Sequence, residues 1–194
     1  MRRGLFRRVW MPLLSRWFPI IGRGGVEAKA EKLGIPFEYW PGPYMSDGYE
    51  RYVWKYKADF VMLSGWLKLV IGLETARTIN IHPGPLPQFS GPKFYGHFVH
   101  EAVMAAYHRG EITHSAVTMH FADEVYDRGP IFFVWPVQIY DGDTVETLAK
   151  RVNRDEHYWQ SRVLNYVVHE QVRLVNGRVE YESEELKRLL MPAA

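Results

Sequence analysis

The run Phe60-Val61-Met62-Leu63-Ser64-Gly65 decides the fold. Four consecutive apolar side chains without alternation suit a β-strand covered on both faces, as in the sheet of an α/β layer protein. Gly65 breaks the run. A short helix is then expected over 73–77, and a second strand over 78–81. Outward from this core, apolar runs keep alternating with helical patterns, the signature of α/β architecture. Towards the N-terminus, residues 9–14 read as a buried strand. Gly24-Gly25 opens a helix with Val26, Ala30 and Leu33 on one face and Gly34 at its end. Residues 35–40 read as the next strand, with Pro36 at its beginning or on an edge, and Ser46 as the cap of a helix carrying Tyr49, Val53 and Tyr56.

Towards the C-terminus, a helix is expected over 95–109, where Phe98, Val99, Ala102, Val103 and Ala106 recur at helical spacing. Val117, Met119 and Phe121 alternate with Thr118 and His120, a strand with two distinct faces. Residues 131–137 form another apolar strand. Asp143 and Glu146 make a capping box before a long helix holding Leu148, Val152, Trp159, Val163 and Val167. Asn176-Gly177, between two short β-prone runs, is the strongest hairpin signal in the chain. With no internal repeat, low-complexity stretch or linker, residues 1–194 are expected to form a single domain.

Bulk properties narrow the function. A hydrophobic content of 47% fills a core, and a net charge of +2 creates no strong field for nucleic acid, although Arg2, Arg3, Arg7, Arg8 and Arg16 make the front end locally basic. The absence of cysteine excludes disulfides, thiolate catalysis and Cys-based zinc sites, and agrees with a cytoplasmic location. The first 21 residues faintly resemble a secretion signal. Their apolar run is broken by Ser15-Arg16, is too short to span a membrane and lacks a small-residue cleavage site, so a strand entering a soluble core is the expectation.

The chemistry is concentrated in Asn80-Ile81-His82-Pro83-Gly84-Pro85-Leu86-Pro87 and in Tyr126-Asp127-Arg128-Gly129-Pro130. Residues two apart on a strand share a side, so Asn80 and His82 are expected to face one cleft at the strand's C-terminal end, where ligand crevices of open α/β sheets lie. Gly84 and Gly91 are expected to permit close backbone approach. An Asn amide donates hydrogen bonds without titrating and suits a developing oxyanion. A His moves protons near neutrality, and a carboxylate such as Asp127 can hold it cationic and relay protons. These groups include no nucleophile, so the attacking atom belongs to a substrate.

The motifs Asn80-Ile81-His82-Pro83-Gly84-Pro85-Leu86-Pro87-x-x-x-Gly91, Ser115-Ala116-Val117-Thr118-Met119-His120-Phe121 and Tyr126-Asp127-Arg128-Gly129-Pro130-Ile131, in this order, closely resemble those of the 10-formyltetrahydrofolate-dependent formyltransferases. The likeness covers roughly 9–181 and is strongest to members that formylate glycinamide ribonucleotide in purine synthesis. It implies a Rossmann-like fold with a mostly parallel sheet flanked by helices and a C-terminal β-hairpin. It also implies that Asn80, His82 and Asp127 are catalytic, with Asn80 and protonated His82 on the oxyanion and Asp127 assisting proton transfer. By the same resemblance, Leu67, Lys68, Leu69 and Val70 line the folate pocket, and the loop from Phe121 to Asp127 clasps the pterin through its backbone. Ile81, Pro83, Asn153 and Glu156 would contact the acceptor, the last two from one helix face with Glu156 on ribose hydroxyls. Glycinamide ribonucleotide and folate are the implied partners, with neither nucleic acid nor membrane; a homodimer is compatible.

The family's first strand, its Gly/Ser/Asn-rich phosphate loop and the helix after it have no counterpart before Val9, so this first strand-helix unit is expected to be missing. Gly22-Arg23-Gly24-Gly25 reads as a plain loop before a helix, with a substitute anion site as the second reading. Other functions stay open: formylation of a different amine, such as a nucleotide-linked amino sugar, or a non-catalytic protein of the same fold. His120 reads equally as support for the catalytic cluster or as a strand histidine bonded to backbone. His97, His100 and Glu101 cannot all converge from one helix, so no metal site is expected.

Overall fold

A computed structural model of the chain describes residues 9–10, 24–40 and 42–192. Its central sheet has the order β1-β2-β3-β4-β5, built from Val9–Trp10, Phe60–Leu63, Thr78–His82, His114–Phe121 and Ile131–Gln138. The pairings β1–β2 and β2–β3 are parallel, whereas β3–β4 and β4–β5 are antiparallel. The expectation of a mostly parallel sheet is thereby corrected to a mixed one. A long apolar strand such as β4, entered from an α-helix, looks the same in sequence whichever way it pairs.

All four residues of β2 are buried, as its unbroken apolar run requires. The main core gathers Met62, Ile79, Met119, Phe121 and Phe133 from the sheet against Val99 and Val103 of α3 (His97–His108) and Leu148, Val152 and Val163 of α4 (Val145–Val168). A second, aromatic cluster packs Trp40, Tyr49, Tyr52 and Trp66 under α2 (Ser46–Tyr56). There Trp66 Nε1 donates to the Tyr49 hydroxyl at 3.1 Å, and that hydroxyl donates to the Leu69 carbonyl at 3.0 Å. This chain of bonds fixes the segment that leaves β2. After α4, Val172–Val175 and Arg178–Tyr181 form the hairpin β6–β7, with Asn176 at φ 51° and Gly177 at φ 76°, the left-handed pair such a turn needs. The Tyr181 hydroxyl ties this hairpin to the Phe132 carbonyl of β5 at 3.0 Å, and α5 (Glu184–Leu190) closes the described chain.

Several local expectations change. Residues 35–40 pair with no strand among the described residues, and Ile35 and Tyr39 are exposed while Trp40 is buried. The apolar face expected of α1 (Gly24–Lys32) leaves the following Leu33 exposed. Met45 rather than Ser46 occupies the cap position of α2. The helix expected at 73–77 shrinks to the 3-10 turn Thr75–Arg77. At α4 the capping box joins Thr144 to Thr147 instead of Asp143 to Glu146. Asp143 is already engaged: it binds Arg151 in a two-pronged ion pair at 2.7 and 2.8 Å and accepts from the Tyr140 N–H. The strand expected over 9–14 is described only for Val9–Trp10. Its remainder, and Gly22-Arg23, lie outside the described residues.

Candidate active site

β3 is the seam at which the sheet changes direction. Asn80 sits opposite Leu63 on the parallel side and opposite His120 on the antiparallel side. Cross-strand partners place their side chains on one face, so Asn80 Nδ2 lies 3.1 Å from His120 Nε2. His82, two residues on, shares that face and is paired with Thr118, whose hydroxyl donates to the Gly84 carbonyl at 2.8 Å and fixes the turn after His82. A register shift between Met119 and His120 re-aims the end of β4.

The carboxylate arrives from the loop after β4. Asp127 Oδ1 accepts from Asn80 Nδ2 at 3.3 Å and lies 3.7 Å from both His82 Nδ1 and His120 Nε2, while Oδ2 accepts the Gly91 N–H at 3.2 Å. Asp127 holds φ 54°, an uncommon conformation for a non-glycine residue. The tight turn behind it depends on Gly129, where an added Cβ would stand 1.7 Å from the Phe121 carbonyl oxygen. Gly84 also permits close approach, since a Cβ there would meet Val99 Cγ2 at 2.8 Å. Gly91 does not: the space around it is open, and its requirement is φ 111°.

Electrostatics revise the state of the imidazole. Burial pushes the His82 pKa below its ordinary value, and this outweighs the nearby Asp127, which acts the other way. The ring is therefore neutral rather than held cationic, and its Nε2 is buried without a partner. Burial alone would raise the Asp127 carboxyl, but contact with His120, the facing His82 and the Gly91 N–H together hold it below its ordinary range. The two shifts are not symmetric, since any lowering of Asp127 by His82 requires a charged ring. With His82 neutral, the Gly91 N–H and the polar contacts to Asn80 and His120 are what keep Asp127 ionised.

A cavity of about 580 Å³ opens on this cluster, within the range of small-molecule sites. Asn80, Ile81, His82, Pro83, Asp127 and Leu67 line it together with Asn153 and Glu156 of α4. Glu156 is half-buried by area yet enclosed by the cavity walls. Burial pushes its carboxyl up to about 7, against a hydrogen bond from Asn153 that acts to lower it. A second cavity of only about 40 Å³, walled by Lys68, Leu69, Val70, Ala122 and Val125, meets the first at Asn80 and Asp127. Phe121 lines neither cavity. Its ring lies in the core, 4.7 Å from that of Phe132, and its carbonyl is engaged by His120 Nδ1 at 3.2 Å. Its N–H donates to the Pro130 carbonyl at 2.9 Å, so its backbone groups are engaged as well.

His120 was open to two readings in the sequence, and the structure satisfies both: Nδ1 faces backbone and Nε2 joins the polar cluster. His100, passed over as one member of an unconvergent helix trio, is buried on the wall of the larger cavity, whereas His97 pairs with Glu101 at 3.3 Å. The signal for His100 was its place among Val99, Val103 and Ala106 on the apolar face of α3. Ser64, just after β2, and Gln160 of α4 also line this cavity and are joined by a 3.3 Å bond, although neither stood out in the sequence.

Comparison with known proteins bears on the family and the fold. The model of the family described as formyl transferase matches residues 30–164. A chloroplastic phosphoribosylglycinamide formyltransferase of Arabidopsis thaliana is 41% identical over 123 residues, which cover 61% of this chain and 41% of that protein. The chain thus spans about two fifths of that relative's length. The crystal structure of phosphoribosylglycinamide formyltransferase from Anaplasma phagocytophilum superposes with a TM-score of 0.64 at 26% identity, covering 81% of this chain and 76% of that one. A similar structure from Coxiella burnetii, at 23% identity and TM-score 0.71 over 90% and 80% of the two chains, supports the fold alone.

Proposed function

The chain belongs to the formyl transferase family, and from that premise we propose that it transfers a formyl group from 10-formyltetrahydrofolate to the amine of glycinamide ribonucleotide. The observation that carries this reading is one cavity lined both by Asn80, His82 and Asp127 and by Asn153 and Glu156. The acceptor nitrogen attacks the formyl carbon, giving a tetrahedral oxyanion. The bond to the folate's N10 then breaks, and a proton moves from the acceptor nitrogen to N10. Asn80 donates to the oxyanion. His82 is neutral and donates to the same oxygen through its own ring N–H as negative charge develops. Asp127, ionised and touching both, takes the amine proton and returns it to the leaving nitrogen. Asn153 and Glu156 bind the ribose hydroxyls.

The folate would enter between the segments 65–70 and 122–127. In this structure the segments are drawn together by a bond of 3.0 Å from the Gly72 N–H to Glu124 Oε1, and the space between them is too small for a bicyclic ring. Lys68, Leu69 and Val70 already wall that space, so the residues present fit a pterin once it opens. Formyl transfer measured with the purified chain, with Asp127→Asn as control, tests the assignment: turnover unchanged by that substitution sinks it.

A second reading has its own observation. Among the described residues lining the larger cavity there is no Lys or Arg, which favours an acceptor amine other than a nucleotide's. Turnover with an amino sugar but not with glycinamide ribonucleotide would select it.

A further inference from the structure

Ser64 and Gln160 form a polar pair on the wall of the larger cavity, and the reaction as proposed leaves them without a role. Ser64 directly follows Leu63, the β2 residue opposite Asn80, so it stands beside the strand end that carries the reacting groups. Its hydroxyl donates to Gln160 Oε1 at 3.3 Å. That bond occupies the carboxamide oxygen and leaves the NH2 end, a pure donor, without a partner among the described residues. Gln160 is only half-buried, so this end is reachable from the cavity. Asn153, Glu156 and Gln160 follow one another along α4 at helical spacing and all line the cavity, which makes them one polar stripe on a single helix face. Helix neighbours four apart stand about 5–6 Å from each other between Cβ atoms, wider than the hydroxyls on adjacent ring carbons. Glu156 can take such a pair of hydroxyls by itself, and Gln160 then faces a different part of the same ligand.

We propose that Gln160, oriented by Ser64, is a specificity-determining residue that donates to a hydrogen-bond-accepting oxygen of the acceptor other than the hydroxyls held by Glu156. The proposal rests on the reading of this cavity as the acceptor's site. A free carboxamide can turn over and present either end, so it distinguishes an oxygen from an N–H poorly. With its oxygen held by Ser64, this one presents N–H groups alone. An acceptor that carries a donor at the same place leaves that amide unpaired in an enclosed site, which is how a hydrogen-bonding wall gains its selectivity. Glu156 and Gln160 also differ in their response to pH. Burial pushes the Glu156 carboxyl up to about 7, against the hydrogen bond from Asn153, whereas a carboxamide does not titrate. The other titratable groups on these walls include His82, Asp127, His97, His100 and His157. A loss of binding at Gln160 is therefore the same on either side of neutrality, while a loss that worked through Glu156 would change across it.

The test is steady-state formyl transfer to glycinamide ribonucleotide by the full chain, beside calorimetric binding of the same compound, with thermal melts to show that each variant is folded. Gln160→Leu keeps the size and removes the amide. It is expected to raise KM and Kd for glycinamide ribonucleotide about fivefold with little change in kcat, and by the same factor at about pH 6 and about pH 8. Gln160→Glu turns a charged acceptor towards the ligand's oxygen at about pH 8 and is expected to bind more weakly than Gln160→Leu. Ser64→Ala frees the amide to turn and should raise KM about twofold, with Ser64→Thr, which keeps the hydroxyl, restoring it. Gln160→Glu that binds as well as the parent overturns the assignment, as does a Gln160→Leu effect confined to kcat or to one of the two pH values. Ser64→Ala indistinguishable from the parent removes the orienting role. Binding weakened by Gln160→Leu in a chain that transfers no formyl group upholds the pair and removes the catalytic reading. Transfer unchanged in both Gln160 variants does the reverse. A parent chain that neither binds nor formylates glycinamide ribonucleotide overturns both.

Discussion

Asp127 combines three demands on one side chain: a left-handed backbone at φ 54°, ionisation in a partly buried place, and simultaneous contact with Asn80, Gly91 and two histidines. Asparagine tolerates the same backbone but cannot accept a proton. Asp127→Asn is therefore expected to fold with a melting temperature close to the parent and to lose about 10²- to 10⁴-fold in kcat, read by steady-state formyl transfer beside a thermal melt. Asn80→Ala removes an oxyanion donor and should cost about 10²- to 10³-fold. Glu156 gives a stability prediction with a definite sign. Its folded pKa, about 7, lies above the ordinary carboxyl value, so the contribution it makes when protonated is lost as pH rises through 7. Glu156→Gln should melt higher than the parent at pH 8, by about 2–4 °C for each kcal/mol recovered, with the gain vanishing near pH 5. Acceptor affinity should fall at the same time. His82 has the opposite sense: its folded pKa lies below its ordinary value, so the stability it contributes is present above about pH 6.5 and lost on acidification below it.

At the scale of elements, the turn from β4 to β5 and the segment after β2 face each other across the smaller cavity like two jaws. Gly129→Ala would drive a Cβ into the Phe121 carbonyl. Because backbone must move to relieve it, urea unfolding should show a loss of about 3 kcal/mol, at the high end of single substitutions. Glu124 holds the jaws together through the Gly72 N–H. Freeing it in Glu124→Ala should speed folate association about fivefold, the effect of a bond worth about 1 kcal/mol, measured by stopped-flow fluorescence of Trp66. Much of this was legible in the sequence, because strand β2, the hairpin at Asn176-Gly177 and the Asn80–His82 pair depend on near neighbours. Pairing direction was not legible, since β4 carries the same apolar alternation in either sense. The capping of α4 was also hidden: Asp143 satisfies the local pattern but is drawn away by Arg151, eight residues on. The neutral state of His82 was equally out of reach, because burial is set by chain segments far apart in sequence.

For the whole molecule, the family is shared with proteins of which this chain spans a part, and what it shares with them includes the pocket-bearing segment. The direction change at β3 has a consequence for how such a protein can diversify. Asn80, His82, His120 and Asp127 all lie on the stretch 78–130, whereas the opposite cavity wall comes from Ser64 to Leu67 and from α4. In the proposed reading, the reacting groups and the residues assigned to the ribose thus lie on separate pieces of chain. If the proposed formyl transfer holds, a combinatorial library confined to positions 64–67 and 153–160 is expected to vary the acceptor while leaving the reacting groups where they stand.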